Sequence, residues 1–218
     1  MSTQTTGAID THDMVVVHRL FRRESLLLVV LIAAVAPGDQ PRARLLTDHL
    51  RDYLQALHAH HSAEDELIWP KLAGRLGGDN TIVSRMEAQH ERLARTTVSL
   101  TTAAADWEIA AGEDERDRLV AALVDQRAVL IEHLDDEEAN LLPLAGRHLT
   151  ADEWEAQGAH VAAHTPEPKA MVFLGMVLED ADGPERVQIL RTVPEPVRAR
   201  WHAGGREQYE RHVRLIRA

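Results

Sequence analysis

Two stretches of the chain repeat one pattern of histidine, glutamate, apolar residues and proline. Leu57–Pro70 reads LHAHHSAEDELIWP, and Leu130–Pro143 reads LIEHLDDEEANLLP. In each stretch a histidine lies ten residues before the proline and a glutamate lies six residues before it. On a helix, residues four apart differ in direction by only about 40°. The repeat therefore predicts two helices, each presenting a histidine and a glutamate on one face.

The two pairs are His60 with Glu64 and His133 with Glu137. Imidazole and carboxylate groups suit iron, zinc or manganese, and the chain has no cysteine to supply a thiolate ligand. One such stretch alone could equally be a charged, solvated helix face with incidental histidines. Agreement of spacing and context in two stretches favours a metal site. His58 falls nearly opposite His60 and is predicted to face outward.

Charge and hydropathy exclude several classes of partner. A formal net charge of −11 argues against nucleic acid or an anionic membrane as the main partner. The apolar run Leu26–Ala36 follows two arginines and resembles the core of a secretion signal. However, a long mixed-charge segment precedes it, and it is much shorter than the about 20 residues that a membrane span needs. We interpret the run as part of a buried helix and predict a cytoplasmic protein without membrane contact.

Helical periodicity divides most of the chain into four long segments separated by glycine, proline and polar residues. The predicted helices run from about Asp13 to Ala36, Pro41 to Leu72, Thr81 to Ala110 and Asp114 to Leu142. Asp79 or Asn80 is the predicted cap of the third helix. Four long amphipathic segments with short connections predict an all-α protein, an antiparallel four-helix bundle with additional C-terminal helices.

Six metal-ligand side chains lie on the inward stripes of these helices. They are His18 on the first helix, His60 and Glu64 on the second, His90 on the third, and His133 and Glu137 on the fourth. Burying imidazoles and carboxylates without partners is costly. Mutual salt bridges would relieve part of this cost. A pair of metal ions would relieve it more completely, because each ligand gains a bond and each carboxylate gains a counter-charge.

The order of these six residues, with the flanking HHSAED–LIWP and HLDDEE–LLP, resembles the hemerythrin-like, or HHE cation-binding, family over about residues 13–145. The resemblance implies a non-heme di-iron centre, with two iron ions bridged by carboxylates and by an oxo or hydroxo group. It implies binding of dioxygen, peroxide or nitric oxide by a carrier, a sensor or a peroxide-detoxifying protein. An enzyme of this kind would be a catalase-like or peroxidase-like oxidoreductase. The alternative is an iron or zinc storage or structural metal protein without an open site.

The chain departs from the oxygen-carrying hemerythrins on the third helix. Those proteins have a second histidine four residues after the first, and Ala94 occupies that position here. His61 lies about 60° from Glu64 on the wheel and is the best candidate for the missing ligand, with a supporting role as the alternative. Ala94 is predicted to leave room for an open coordination position. The predicted ligands are thus His18, His60, His61, Glu64, His90, His133 and Glu137.

Other polar residues are assigned secondary roles. Tyr53 is interpreted as a core tyrosine with a bonded hydroxyl, with metal ligation as the alternative. Glu87 lies three residues before His90. We expect it at the surface or supporting a metal ligand, rather than binding metal itself. Glu138 is predicted to face outward. Gln126 and Asn140 flank the ligands of the fourth helix and suit hydrogen bonds to them.

The remaining histidines have no spacing partner on the inward stripes. His160 and His164 form a pair at i, i+4, interpreted as a surface pair, with a second metal site as the alternative. We predict that the others are solvated, namely His12, His49, His148, His202 and His212.

The sequence predicts three regions. Residues 1–12 form a flexible N-terminus, residues 13–147 the bundle, and residues 148–218 a helical extension that packs on the bundle as a lid or contributes to a dimer interface. Thr150-x-x-Glu153 is a capping box that opens the first helix of this extension. The extension has no phosphate loop, nucleophile elbow or nucleic-acid module. The predicted partner is a small diatomic ligand or peroxide, and the predicted state is a monomer or homodimer.

Overall fold

The computed structural model describes residues 8–78 and 80–218, and within these ranges it is helical without a strand. The first part contains α1 (His12–Ala33), α2 (Gln40–Ala63), α3 (Trp69–Leu76), α4 (Thr81–Ala110), α5 (Glu113–Asp136) and α6 (Leu142–His148). The second part contains α7 (Ala151–His164), α8 (Ala170–Glu179), α9 (Gly183–Thr192), α10 (Glu195–Arg200) and α11 (Arg206–Arg217). The all-α prediction is confirmed.

The four long helices pack around one apolar core. α1 lies against α2 and α5, and α4 lies against the same two helices, so each long helix contacts two others. The core includes Leu20, Phe21, Leu50, Leu93 and Leu130, all of which are buried. These residues come from the inward stripes of the helical wheels, and burying such a stripe is what stabilises an amphipathic helix.

The predicted helix bounds are close to those observed. α4 spans Thr81–Ala110 as predicted, whereas α1 ends at Ala33, three residues before the predicted Ala36. Asn80 occupies the N-cap position of α4, but its side chain makes no capping hydrogen bond. Asp79 lies outside the described residues. No helix in the described ranges has both the length and the apolar character to cross a membrane.

Each repeated segment contains a π turn that begins at its glutamate. Glu64–Ile68 connects α2 to α3, and Glu137–Leu141 connects α5 to α6. In each turn the N–H of the residue before the proline, Trp69 or Leu142, donates to the carbonyl of the glutamate. Proline lacks an N–H, and its ring clashes with the carbonyl four residues back in an α-helix. The wider turn lets the helix continue past the proline, so helical structure extends beyond the predicted ends at Leu72 and Leu142.

The C-terminal helices lie against the first two long helices. α7 packs on α2, while α8 and α9 pack on α1, and α11 packs on α8 and α2. α7 opens with the predicted capping box: the N–H of Glu153 donates to Oγ1 of Thr150, and the N–H of Thr150 donates to the Glu153 carboxylate. Of the predicted flexible N-terminus, residues 1–7 lie outside the described residues, and the N–H of Ile9 donates to the carbonyl of Gly146.

A second buried polar cluster joins α1, α2 and α11. Nε2 of His49 lies 3.0 Å from Oε2 of Glu24, and Nδ1 of His49 lies 3.1 Å from Nε2 of His212. The prediction that His49 and His212 are solvated is therefore wrong, since His49 is buried and His212 is half-buried. Their partners come from distant parts of the chain, so spacing along one helix gave no signal. His12 and His202 are exposed as predicted.

Candidate metal centre

Seven side chains bring their ligand atoms together between α1, α2, α4 and α5. Each residue of the first group offers one ligand atom within 4.8 Å of the others, and this group consists of His61, Glu64, His90 and His133. The same holds for the second group, which consists of His18, His60, Glu64 and Glu137. The two groups together are the ligand set proposed from the sequence. Their side chains are buried or nearly so.

The two glutamates lie between the two groups of histidines. Oε1 of Glu64 lies 3.3 Å from Nε2 of His60, and Oε2 lies 3.5 Å from Nε2 of His90. Each oxygen of this carboxylate therefore faces a different group. Oε2 of Glu137 similarly lies 3.3 Å from Nε2 of His18 and 3.7 Å from Nε2 of His133. Both carboxylates are placed where they could bridge two cations.

Three of the histidines are oriented by hydrogen bonds at Nδ1. Nδ1 of His18 lies 2.8 Å from Oε1 of Glu138. Nδ1 of His90 lies 2.8 Å from Oδ1 of Asp65, and Nδ1 of His133 lies 3.1 Å from Oε1 of Gln89. A neutral imidazole that donates from Nδ1 to such an acceptor has its lone pair on Nε2, and in all three residues Nε2 faces the cluster. Metal-binding histidines commonly have a carboxylate or carbonyl partner of this kind.

The acceptors are themselves held in place. Nη2 of Arg22 lies 2.9 Å from Oε1 of Glu138. The amide of Gln89 donates to Oδ2 of Asp136 at 2.8 Å, which turns its carbonyl oxygen towards His133, and Asn140 donates to the same aspartate. The prediction that Glu138 faces outward is wrong. Glu138 lies inside the second π turn, where a wheel drawn for an α-helix no longer gives the side-chain direction.

Electrostatics in the cluster follow from burial and from the two glutamates. Burial lowers the pKa of His60 and His61 well below the ordinary value and lowers that of His133 to about 4. Burial and the neighbouring Glu137 raise the pKa of Glu64. Burial opposes the charged form of His18 and Glu137 too, but their mutual attraction prevails, raising the pKa of His18 and lowering that of Glu137. A cation among these groups would favour neutral imidazoles and ionised carboxylates throughout.

Several ligand atoms of the cluster have no hydrogen-bond partner among the described residues. They are Nε2 of His18, His60 and His61 and both carboxylate oxygens of Glu64 and Glu137. A buried polar atom left without a partner costs about 1–3 kcal/mol. Metal ions would satisfy these atoms together, so the residues present fit a metal centre.

A family model described as the hemerythrin HHE cation binding domain matches residues 10–145. The match covers more than half of the chain and includes all seven cluster residues. The chain belongs to the hemerythrin HHE cation-binding family. Membership implies cation binding, in agreement with the cluster. No curated protein and no solved structure matches the chain.

Within this hemerythrin-like chain, His61, the candidate for the missing ligand, lies in the same group as Glu64, His90 and His133. Its ring stacks on that of His90 with the centroids 4.2 Å apart, and its centroid lies 5.1 Å from that of His133. Ala94 is exposed, so the prediction that it leaves room for an open position in the centre is wrong. One turn beyond His90, this part of α4 faces the solvent.

The other candidates lie outside both groups of ligand atoms. Tyr53 is fully buried with Gln126 and Ser25 as polar neighbours, and burial raises its pKa. Gln126 therefore lies beside Tyr53. Asn140 donates to Asp136, which also accepts from Gln89.

Four further side chains also lie apart from the centre. Glu87 and His58 are exposed as expected. His160 stacks on His164 with the centroids 4.2 Å apart, and Nδ1 of His164 donates to the carbonyl of His160, in keeping with a surface pair.

Proposed function

We propose that the hemerythrin-like centre holds two iron ions and binds dioxygen, peroxide or nitric oxide at an open position on one of them. The observation that carries this proposal is that Glu64 belongs to both groups of ligand atoms, and each group has its own histidines. One ion cannot use both groups, whereas two ions can share Glu64. Imidazole with carboxylate suits iron, and thiolates, which many structural zinc sites use, are missing from the chain.

The two sides of the centre have unequal numbers of protein ligands. His61, His90 and His133 lie on one side, whereas His18 and His60 lie on the other. With both glutamates shared, the side of His18 and His60 has one protein ligand fewer. We assign the open position to that side. Iron supplies reversible electron transfer and an affinity for small oxygen and nitrogen ligands.

The protein's own residues orient and enclose the centre. Glu138, Asp65 and Gln89 hold the imidazoles of His18, His90 and His133 with Nε2 inward, while the surrounding apolar residues exclude bulk water. Among the described residues, the groups of ligand atoms contain two carboxylates, Glu64 and Glu137. So few anionic ligands would stabilise oxidising states of iron weakly. We therefore favour a carrier, a sensor or a peroxide-detoxifying protein over an oxidase of organic substrates. Any enzymatic activity would be catalase-like or peroxidase-like.

We also propose how the chain is divided into regions around the centre. Residues 13–147 form an antiparallel four-helix bundle, and residues 148–218 form an extension packed on it. The contacts of each long helix with two others, and of α7, α8 and α9 with α1 and α2, support this division. The protein is proposed to act in the cytoplasm as a monomer or homodimer.

Absorption spectra of the iron-loaded protein test the proposed function. The protein is reduced without oxygen and then exposed separately to air, hydrogen peroxide and nitric oxide. We expect a new visible absorption with at least one of the three, and a Glu64→Ala variant should lose it because both groups share that residue. A stable and reversible change indicates a carrier or sensor, and decay with consumption of peroxide indicates an enzyme. Spectra unchanged by all three would contradict the open position and favour storage or a structural metal.

A further inference from the structure

A cavity of about 220 Å³ lies between α1, α2 and the C-terminal helices α7–α10. His60 and Ala63 of α2 line one part of its wall, and Met14 and Val17 of α1 line another. Most of the remaining wall comes from residues of the C-terminal helices, beyond the part that matches the family model. The cavity is therefore a product of the extension as much as of the metal-binding part of the chain.

The wall of the cavity is predominantly apolar. Trp154, Val161, Phe173, Leu174, Ile189 and Val193 line it. Two of its polar side chains already have partners within the protein: Nε1 of Trp154 donates to the Asp13 carboxylate at 3.0 Å, and the amide of Gln157 donates to the carbonyl of Trp154. Among the described residues, the ionisable side chains of the lining other than His60 are Asp13 and Glu155, and no lysine or arginine lines the cavity. The wall thus suits an uncharged or apolar ligand and disfavours an anion.

The cavity is large enough for a ligand much bigger than a diatomic gas. One water takes about 30 Å³ in the liquid, and an engineered apolar cavity of about 150 Å³ binds benzene. The present cavity has room for one ring with a short alkyl substituent. Some lining residues, among them Glu155, Gly158, Ala162 and Pro194, are exposed, so a ligand has a way in from solvent.

We propose that this cavity is a binding site for a small, uncharged, largely apolar organic molecule of about the size of an alkylbenzene. The ligand would lie near the imidazole of His60, whose Nε2 is 3.3 Å from Glu64. This site does not depend on the identity of the metal or on an open metal position. It gives the C-terminal extension a role of its own, which is to form a ligand chamber beside the metal centre.

Titration of the full-length protein with toluene and with benzoate tests this proposal. The two probes share a ring, but benzoate has a carboxylate in place of the methyl group. We expect toluene to bind with one site per chain, and benzoate to bind at least about tenfold more weakly. The titration is repeated with and without iron, so that binding of toluene is read separately from the chemistry of the centre. Absence of toluene binding, or equal binding of the two probes, would overturn the proposal.

Variants with a filled cavity test whether toluene binds in this cavity. Val193→Trp and Val161→Trp each place a large ring into the lining, and each should weaken toluene binding at least about tenfold. Val187→Trp alters an exposed residue of α9 that does not line the cavity, and it should bind toluene like the wild type. Melting curves show whether each variant folds. If one of the two tryptophan variants does not fold, toluene binding by the other one tests the location. Wild-type affinity in a folded, filled variant would show that toluene binds elsewhere.

Discussion

Nδ1 of His18 on α1 lies 2.8 Å from Oε1 of Glu138 in the second π turn, 120 residues later in the chain. Arg22, one turn beyond His18, holds the same carboxylate at 2.9 Å. The buried imidazole is thereby fixed with Nε2 towards Glu137. Glu138 is thus a positioning residue for the proposed metal centre.

Replacing Glu138 tests this positioning role. Glu138→Ala should lower the iron affinity about 10–100-fold, the usual cost of losing a residue that orients a metal ligand. Glu138→Gln should retain much of the affinity, because an amide oxygen also accepts from Nδ1. Glu132→Ala is the matched control, since Glu132 is exposed on α5, just before the second π turn, and pairs with Arg92 at the surface. Competition with a chelator measures these affinities, and equal values for Glu138→Ala and Glu132→Ala would contradict the role.

His61 is predicted to bind only one of the two metal ions. It belongs to one group of ligand atoms, so His61→Ala should release about one iron per chain and change the visible absorption. His58→Ala should leave both iron ions in place, because His58 is exposed on the other side of α2. Metal analysis of the two purified variants checks this. Equal iron contents would mean that His61 supports the centre without binding metal.

The cluster could be predicted because five of its seven residues lie on long helices, and each of its two glutamates begins a π turn four residues after a histidine. His60 and Glu64, four residues apart, show a pattern that a wheel can identify before any tertiary contact is known. The wheel also placed His18 and His90 inward, and both are buried. Periodicity within one helix therefore suffices where the partners face a common core.

Contacts between helices could not be predicted in the same way. Asp65 and Gln89 support His90 and His133 from other helices, and nothing in their spacing indicates this pairing. The same applies to His49, whose partners come from α1 and α11. The π turns also escaped prediction, because a regular wheel assumes an unbroken α-helix, here one that continues through Pro70.

Packing of the C-terminal helices is tested at Gly175. A Cβ atom at this position of α8 would overlap the ring of Tyr209 on α11. We expect Gly175→Ala to destabilise the protein by about 1–3 kcal/mol, the usual range for overpacking. At Gly74 of α3 a Cβ atom meets nothing, so Gly74→Ala should stabilise by about 0.5–1 kcal/mol. Urea unfolding of both variants checks the two signs, and a neutral Gly175→Ala would contradict the packing of α8 on α11.

Glu179 should make folding sensitive to acid. Burial would raise its pKa, but the hydrogen bonds from Arg217 and Tyr209 prevail and lower it to about 2, from an ordinary value of 4.5. A lowered pKa means stabilisation that is complete above about pH 4.5 and lost as the pH falls towards 2. With allowance for partial solvent screening, Glu179→Gln should cost roughly 1–2 kcal/mol at pH 7.

This cost of Glu179→Gln should shrink at about pH 3, because the wild-type carboxylate is then losing its own stabilisation. Unfolding midpoints of wild type and variant at both pH values give the difference. Glu91→Gln is the control, since Glu91 is exposed and lies 3.8 Å from its partner Arg95. A cost that is independent of pH would show that the loss comes from packing rather than from charge.

Metal analysis after anaerobic reconstitution with iron tests whether two iron ions share one buried centre. The wild-type protein should contain about two iron ions per chain, because two groups of ligand atoms meet at Glu64. Glu64→Ala should lose most of both ions, whereas the exposed control Glu87→Ala should keep them. A single ion per chain with zinc preferred over iron, or full iron content in Glu64→Ala, would contradict the claim.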